Sequence, residues 1–152
     1  IRPRKRFIVH FNRTICLSSM KKILIIDDDE IFEFITRELI TEFYPEIEVV
    51  SHLSSTEGLQ YLKNAIASPS TKPDILFLDI RMPEMDGFEL LDELAQSYTI
   101  SDLAPMRIFM LTSSLDANDN RKSVENPFVS GFISKPLETE QLKEIFEKEK
   151  IV

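Results

Sequence analysis

From Lys21 onward the chain alternates between two hydrophobic periods. "KILIID" (22–27) is an unbroken apolar run closed by acids, the mark of a strand buried on both faces. Residues 30–43 then place Ile31, Phe34, Ile35, Leu39 and Phe43 at helical spacing, and Pro45 closes that helix. "IEVVSHL" (47–53) reads as a short strand. Ser54, with Glu57 three residues on, forms a capping-box pattern that opens a helix to about Ile66, with Leu59, Leu62 and Ile66 on one face. "ASPSTKP" (67–73) is a turn-rich loop. "ILFL" (75–78) is the third strand, and Asp86 and Glu89 cap a helix predicted to bury Phe88, Leu91, Ala95 and Tyr98. A loop ending at Pro105 leads to a fourth strand, "MRIFMLT" (106–112). A weak, Asn- and Asp-rich helix spans 116–126. "GFIS" (131–134) is a fifth strand. A last helix over 139–149 turns Leu142, Ile145 and Phe146 inward.

Strands that alternate with helices predict an α/β fold, a five-stranded parallel sheet with helices on both faces and right-handed crossovers. Strands 1, 3 and 4 lack polar alternation, as central strands should. Ligands of such sheets sit beyond the carboxyl ends of the strands. Those ends carry Asp27, Asp28 and Asp29, then Asp79, then Thr112 and Ser113, then Lys135.

Electrostatics limits what this edge can be. Two like charges 4 Å apart repel by about 4 kcal/mol at an effective dielectric near 20. Close carboxylates therefore stay ionised together only beside a cation. Lys135 is a partial remedy and a divalent ion a better one. Oxygen ligands without His or Cys favour Mg²⁺, which keeps waters and is completed by phosphate. A carboxylate is also a nucleophile toward a phosphoryl group, whose charge Mg²⁺, Lys135 and Thr112 would stabilise. Taken singly, each residue has an ordinary reading. An acidic triplet often caps a helix, the role assigned to Asp29, and a Lys before Pro is often a solvated loop residue. The joint placement carries the weight.

Composition narrows the picture. The 152 residues fit one domain, and no apolar stretch approaches the 18 residues of a membrane span. A single cysteine, Cys16, excludes an internal disulfide and a Cys-based zinc site, which suits a reducing, cytoplasmic setting. The net charge of −8 is uneven: residues 1–19 hold five of the 18 basic residues and no acid. The acidic remainder does not suit nonspecific nucleic-acid binding. "MKKILIIDDDE" from Met20 resembles a natural start, so 1–19 is expected to be an added or upstream-translated extension, with a native tail or Arg-rich targeting segment as the alternative, and 20–152 the folded domain. With only Gly58, Gly87 and Gly131, the chain has no Gly-rich phosphate loop.

"ILIIDDDE", "ILFLDIRMPEMDGFELL", "MLTSS" and "SGFISKPL", in that order, resemble the receiver domain of two-component response regulators over about residues 21–149. The resemblance implies a doubly wound (βα)₅ flavodoxin-like fold. It implies that Asp79 is phosphorylated. It implies that Asp28 ligates Mg²⁺ directly, Asp27 through water, and Arg81 through its backbone carbonyl, with Asp79 in the same metal set. Thr112 and Lys135 would contact the phosphoryl group, the Lys135–Pro136 bond would be cis, and Phe132 would be the switch aromatic, without a tyrosine's hydroxyl. Arg81 and Ser114 stand where the family tunes phosphoryl lifetime.

The implied function is a phospho-accepting regulator and not a turnover enzyme. A histidine kinase or histidine phosphotransfer protein would supply the phosphoryl group. A separate effector protein would read the result at about 116–149, since only three residues follow the last helix. Two other readings compete. A phosphatase of the haloacid dehalogenase type wants an acid two residues after its nucleophile, where Arg81 stands. A degenerate receiver would have lost one of the chemical positions, and all are present.

Overall fold

The computed structural model describes residues 21–113 and 117–152. Residues 1–19, Ser114 and the first residue of the expected 116–126 helix lie outside them. Five strands, β1 (Lys22–Ile26), β2 (Glu48–His52), β3 (Ile75–Asp79), β4 (Arg107–Thr112) and β5 (Gly131–Ser134), form one parallel sheet in the order β2-β1-β3-β4-β5. Among the described residues six helices flank the strands: α1 (Glu30–Phe43), α2 (Ser55–Ile66), α3 (Gly87–Ala95), α4 (Ile100–Leu103), α5 (Ala117–Glu125) and α6 (Thr139–Lys148). The strands without polar alternation are the three inner ones, as the pattern requires.

Successive strand residues point to opposite faces. Leu24, Ile26, Leu76, Leu78, Ile108 and Met110 pack under α2 and α3, whereas Ile23, Ile25, Ile75, Phe77, Phe109 and Leu111 pack under α1 and α6. Burying apolar surface on both faces at about 25 cal/mol per Å² makes the sheet the rigid base of the molecule.

Three expectations need correction. On α1 the buried residues are Phe32, Thr36 and Ile40, while Ile31, Phe34, Ile35 and Phe43 are exposed; of the expected stripe only Leu39 packs against the core. The helix is apolar on two sides, and the polar Thr36 disguises the side that faces the sheet. On α3 the core takes Leu90, Leu91 and Leu94, Phe88 and Tyr98 pack at its margin, and Ala95 is exposed. The helix ends before Tyr98, so that residue does not follow helical spacing. Finally, Ser54 caps α2 by accepting from Glu57 N, but Glu57 does not return the bond; its carboxylate lies 3.9 Å from His52 Nδ1. The single turn α4 is too short for a periodic signal. Thr99 and Asp102 cap it reciprocally.

Candidate functional site at the carboxyl edge of the sheet

β1 hands its chain to Asp27, whose N–H donates to His52 O at 3.1 Å and so stays in line with the sheet. Asp27 is fully buried. Its Oδ1 accepts from Asp29 N at 3.0 Å, while Asp29 caps α1 by accepting from Ile31 N and Phe32 N. The acid loop thus fixes its own carboxylate and starts the next helix. Asp28, between them, is exposed.

β3 ends on Asp79, 4% exposed. The loop after it is held by Ile80 N donating to Leu111 O and Gly87 N donating to Ile80 O, both at 2.9 Å. A Cβ at Gly87 would stand 2.4 Å from Asp79 O, so only glycine lets the start of α3 seat on the Asp79 backbone. Asp86 and Glu89 then form a complete capping box.

Thr112, buried at the end of β4, lies opposite Ser134 in register. Lys135 N donates to Thr112 O at 2.7 Å, and the Lys135–Pro136 bond is cis. From there the Lys135 ammonium reaches Asp27 Oδ2 at 2.5 Å and Asp79 Oδ1 at 2.8 Å. The side chain is only 10% exposed. Phe132 on β5 is partly buried against the α2–α3 side of the core.

Three strands therefore converge on one charged centre. Burial raises the Asp27 carboxyl above the ordinary carboxylate range, and raises Asp79 to about 6; hydrogen bonds from Lys135 oppose both shifts. Burial by itself would lower Lys135, but its bonds to the two carboxylates outweigh that and raise it. Asp27, Asp28 and Asp79 each present an oxygen within 4.8 Å of the others. This all-oxygen donor set fits a hard divalent ion.

Two features gave no signal in the sequence. One guanidinium nitrogen of Arg81, Nη2, donates to both carboxylate oxygens of Asp119 of α5, at 2.9 and 2.8 Å, and Asp119 is 2% exposed. The Lys135 ammonium also stands 4.5 Å from the centroid of the Phe32 ring.

A family model, the response regulator receiver domain, matches residues 23–147. The chain belongs to that family. The receiver is 34% identical over 127 residues to the heme response regulator HssR of Staphylococcus haemolyticus, covering 81% of this chain and 48% of that protein. It is 29% identical over 127 residues to hybrid signal transduction histidine kinase L of Dictyostelium discoideum, covering 84% of this chain and 7% of that one. The chain thus spans half or less of these relatives. Among solved structures, a two-component response regulator from Cytophaga hutchinsonii superposes with a TM-score of 0.77 at 28% identity, covering 88% of this chain and 99% of that one. A CheY-like receiver domain from Methanospirillum hungatei superposes with a TM-score of 0.69 at 27% identity, covering 88% and 96%. Receiver domains work with histidine kinases in two-component signalling, and the flavodoxin-like architecture is that of the family. Among the described residues no helix is long and apolar enough to cross a membrane.

Proposed function

We propose that this receiver accepts a phosphoryl group on Asp79 from a phosphohistidine, in the cytoplasm, and signals through protein contacts. The observation that carries the reading is the shared ammonium: Lys135 joins a buried Asp79 to a buried Asp27 at the carboxyl edge of the sheet. An Asp79 oxygen attacks phosphorus, the P–N bond breaks, and the departing imidazole nitrogen keeps the electron pair. Lys135 then exchanges its carboxylate partner for a phosphoryl oxygen, and Thr112 donates to another. Asp27, Asp28, Asp79 and the Arg81 carbonyl would hold Mg²⁺. The bound ion supplies neutralisation of charge on carboxylates and phosphoryl oxygens. Phe132 would adjust its packing when Thr112 moves. The chain's own chemistry is stoichiometric transfer and self-hydrolysis, not turnover of a substrate pool.

Two surfaces support the partner assignments. Ile31, Phe34 and Ile35 are exposed on α1, beside the acid loop, where a phosphodonor must approach Asp79. On the other side, Val124, Val129 and Phe132 help to line a cavity of about 250 Å³, within the 116–149 span proposed for an effector. The phosphatase alternative would need an acid at position 81, and Arg81 is instead turned to Asp119.

The test is incubation with acetyl phosphate and Mg²⁺, followed by intact mass measurement. One base-labile phosphoryl adduct is expected, absent with chelator and absent in Asp79→Asn. A folded wild-type protein that takes no adduct would point to a degenerate receiver. Sustained hydrolysis of many phosphate esters would point to the phosphatase.

A further inference from the structure

The Lys135 ammonium has three donors, and its surroundings differ on each side. It pairs as an ion with Asp27 Oδ2 at 2.5 Å and with Asp79 Oδ1 at 2.8 Å. The ring of Phe32 covers the ammonium at 4.5 Å from its centroid. Phe32 is 8% exposed, so this contact is largely shielded from water. Its backbone is fixed by the same loop that fixes Asp27, because Asp29 accepts from Phe32 N and donates its own N–H to Asp27 Oδ1. The backbone that carries the ring and the first carboxylate are therefore both tied to Asp29.

We propose that Phe32 is a positioning residue for phosphoryl transfer, acting through the face of its ring on Lys135. This rests on the reading of Asp79 as the acceptor. The carboxylates are variable partners for the ammonium, since both are to be shared with a divalent ion and Asp79 is to carry the phosphoryl group. The ring is the constant partner. Its negative face stabilises the ammonium without competing for a phosphoryl oxygen. An aliphatic side chain in the same place would exclude water equally well and give no such attraction. The role belongs to the ring's charge distribution and not to its bulk, and that separates it from ordinary core packing.

The separating experiment replaces Phe32 by phenylalanines carrying one, two and three ring fluorines, which drain the negative face with little change of shape. The second-order rate of adduct formation from acetyl phosphate and Mg²⁺ is measured for each, together with thermal stability. The rate should fall stepwise with fluorination, to a total loss of about 2- to 30-fold, while the melting temperature falls only by the few degrees that weakening this one contact costs the folded state. Phe32→Leu should lie at the slow end and Phe32→Trp should retain or exceed the wild-type rate. Equal rates along the fluorine series, with a normal adduct on the wild type, would overturn the role of the ring while leaving Asp79 as acceptor. No adduct on the wild type, with the Lys135 side-chain protons still shifted by the ring in the NMR spectrum, would overturn the acceptor reading, and this role with it.

Discussion

Asp79 is the residue where structure and chemistry conflict most. Its carboxyl is raised from 3.8 to about 6 by burial, so the folded chain holds this proton to a higher pH than the unfolded chain does. Below about pH 4 both states are protonated and nothing is lost. Between that value and about 6 the unfolded chain ionises first, so this group's penalty on folding grows, and above about 6 it is complete. Asp79→Asn keeps an oxygen for Lys135 and removes the charge. It is expected to raise unfolding free energy by about 1–3 kcal/mol near neutral pH without metal, and to have little effect near pH 4. Urea unfolding at the two pH values measures this, and a loss of stability near neutral pH would contradict it. Gly87 faces the opposite constraint. Gly87→Ala sets a methyl against Asp79 O, and should cost about 1–3 kcal/mol and displace the loop after Asp79. A wild-type adduct rate and unchanged unfolding curve in that variant would refute the close approach.

At the scale of elements, the Arg81–Asp119 pair ties the loop after β3 to α5. A helix of such polar composition has little propensity of its own, and its Val124 is exposed. The buried Asp119 carboxylate needs the guanidinium, which is itself 62% exposed, so the pair is worth less than a fully buried one. Arg81→Met should cost about 1–3 kcal/mol, because it strands a buried charge, and Asp119→Leu added to it should recover most of that. Hydrogen exchange of α5 amides should speed up in the single variant and slow again in the double. Equal exchange in all three chains would show that α5 is held by other contacts. Because Arg81 follows Asp79 by two residues, the pair joins α5 to the loop beside the proposed acceptor.

What the sequence made legible follows from periodicity and from position. The inner strands were readable because "ILII", "ILFLD" and "IFML" are continuously apolar, and the gathering of Asp27, Asp28, Asp79 and Lys135 was readable because strand ends share one edge of such a sheet. The core side of α1 was not, since Phe32, Thr36 and Ile40 compete with an equally apolar stripe on the opposite side. Nor were Arg81–Asp119 and Lys135–Phe32, which join residues 38 and about 100 positions apart without any local pattern.

For the whole molecule, the sheet holds the acid centre at one edge, with an exposed apolar stripe on one side and a small apolar cavity on the other. The stripe is surface, not core. Phe34→Ser should change stability by less than about 0.5 kcal/mol, whereas a polar residue at Ile40 should unfold much of the domain. Thermal melts of the two variants compare these directly, and a large loss from Phe34→Ser would mean that the helix is turned the other way. The central claim is that Asp79 carries the phosphoryl group. Borohydride reduces an aspartyl phosphate to homoserine, so treating the acetyl-phosphate-loaded protein and mapping its peptides locates the site. Homoserine at position 79 alone is the expected result. Homoserine at position 27 or 28, or at none, would contradict it.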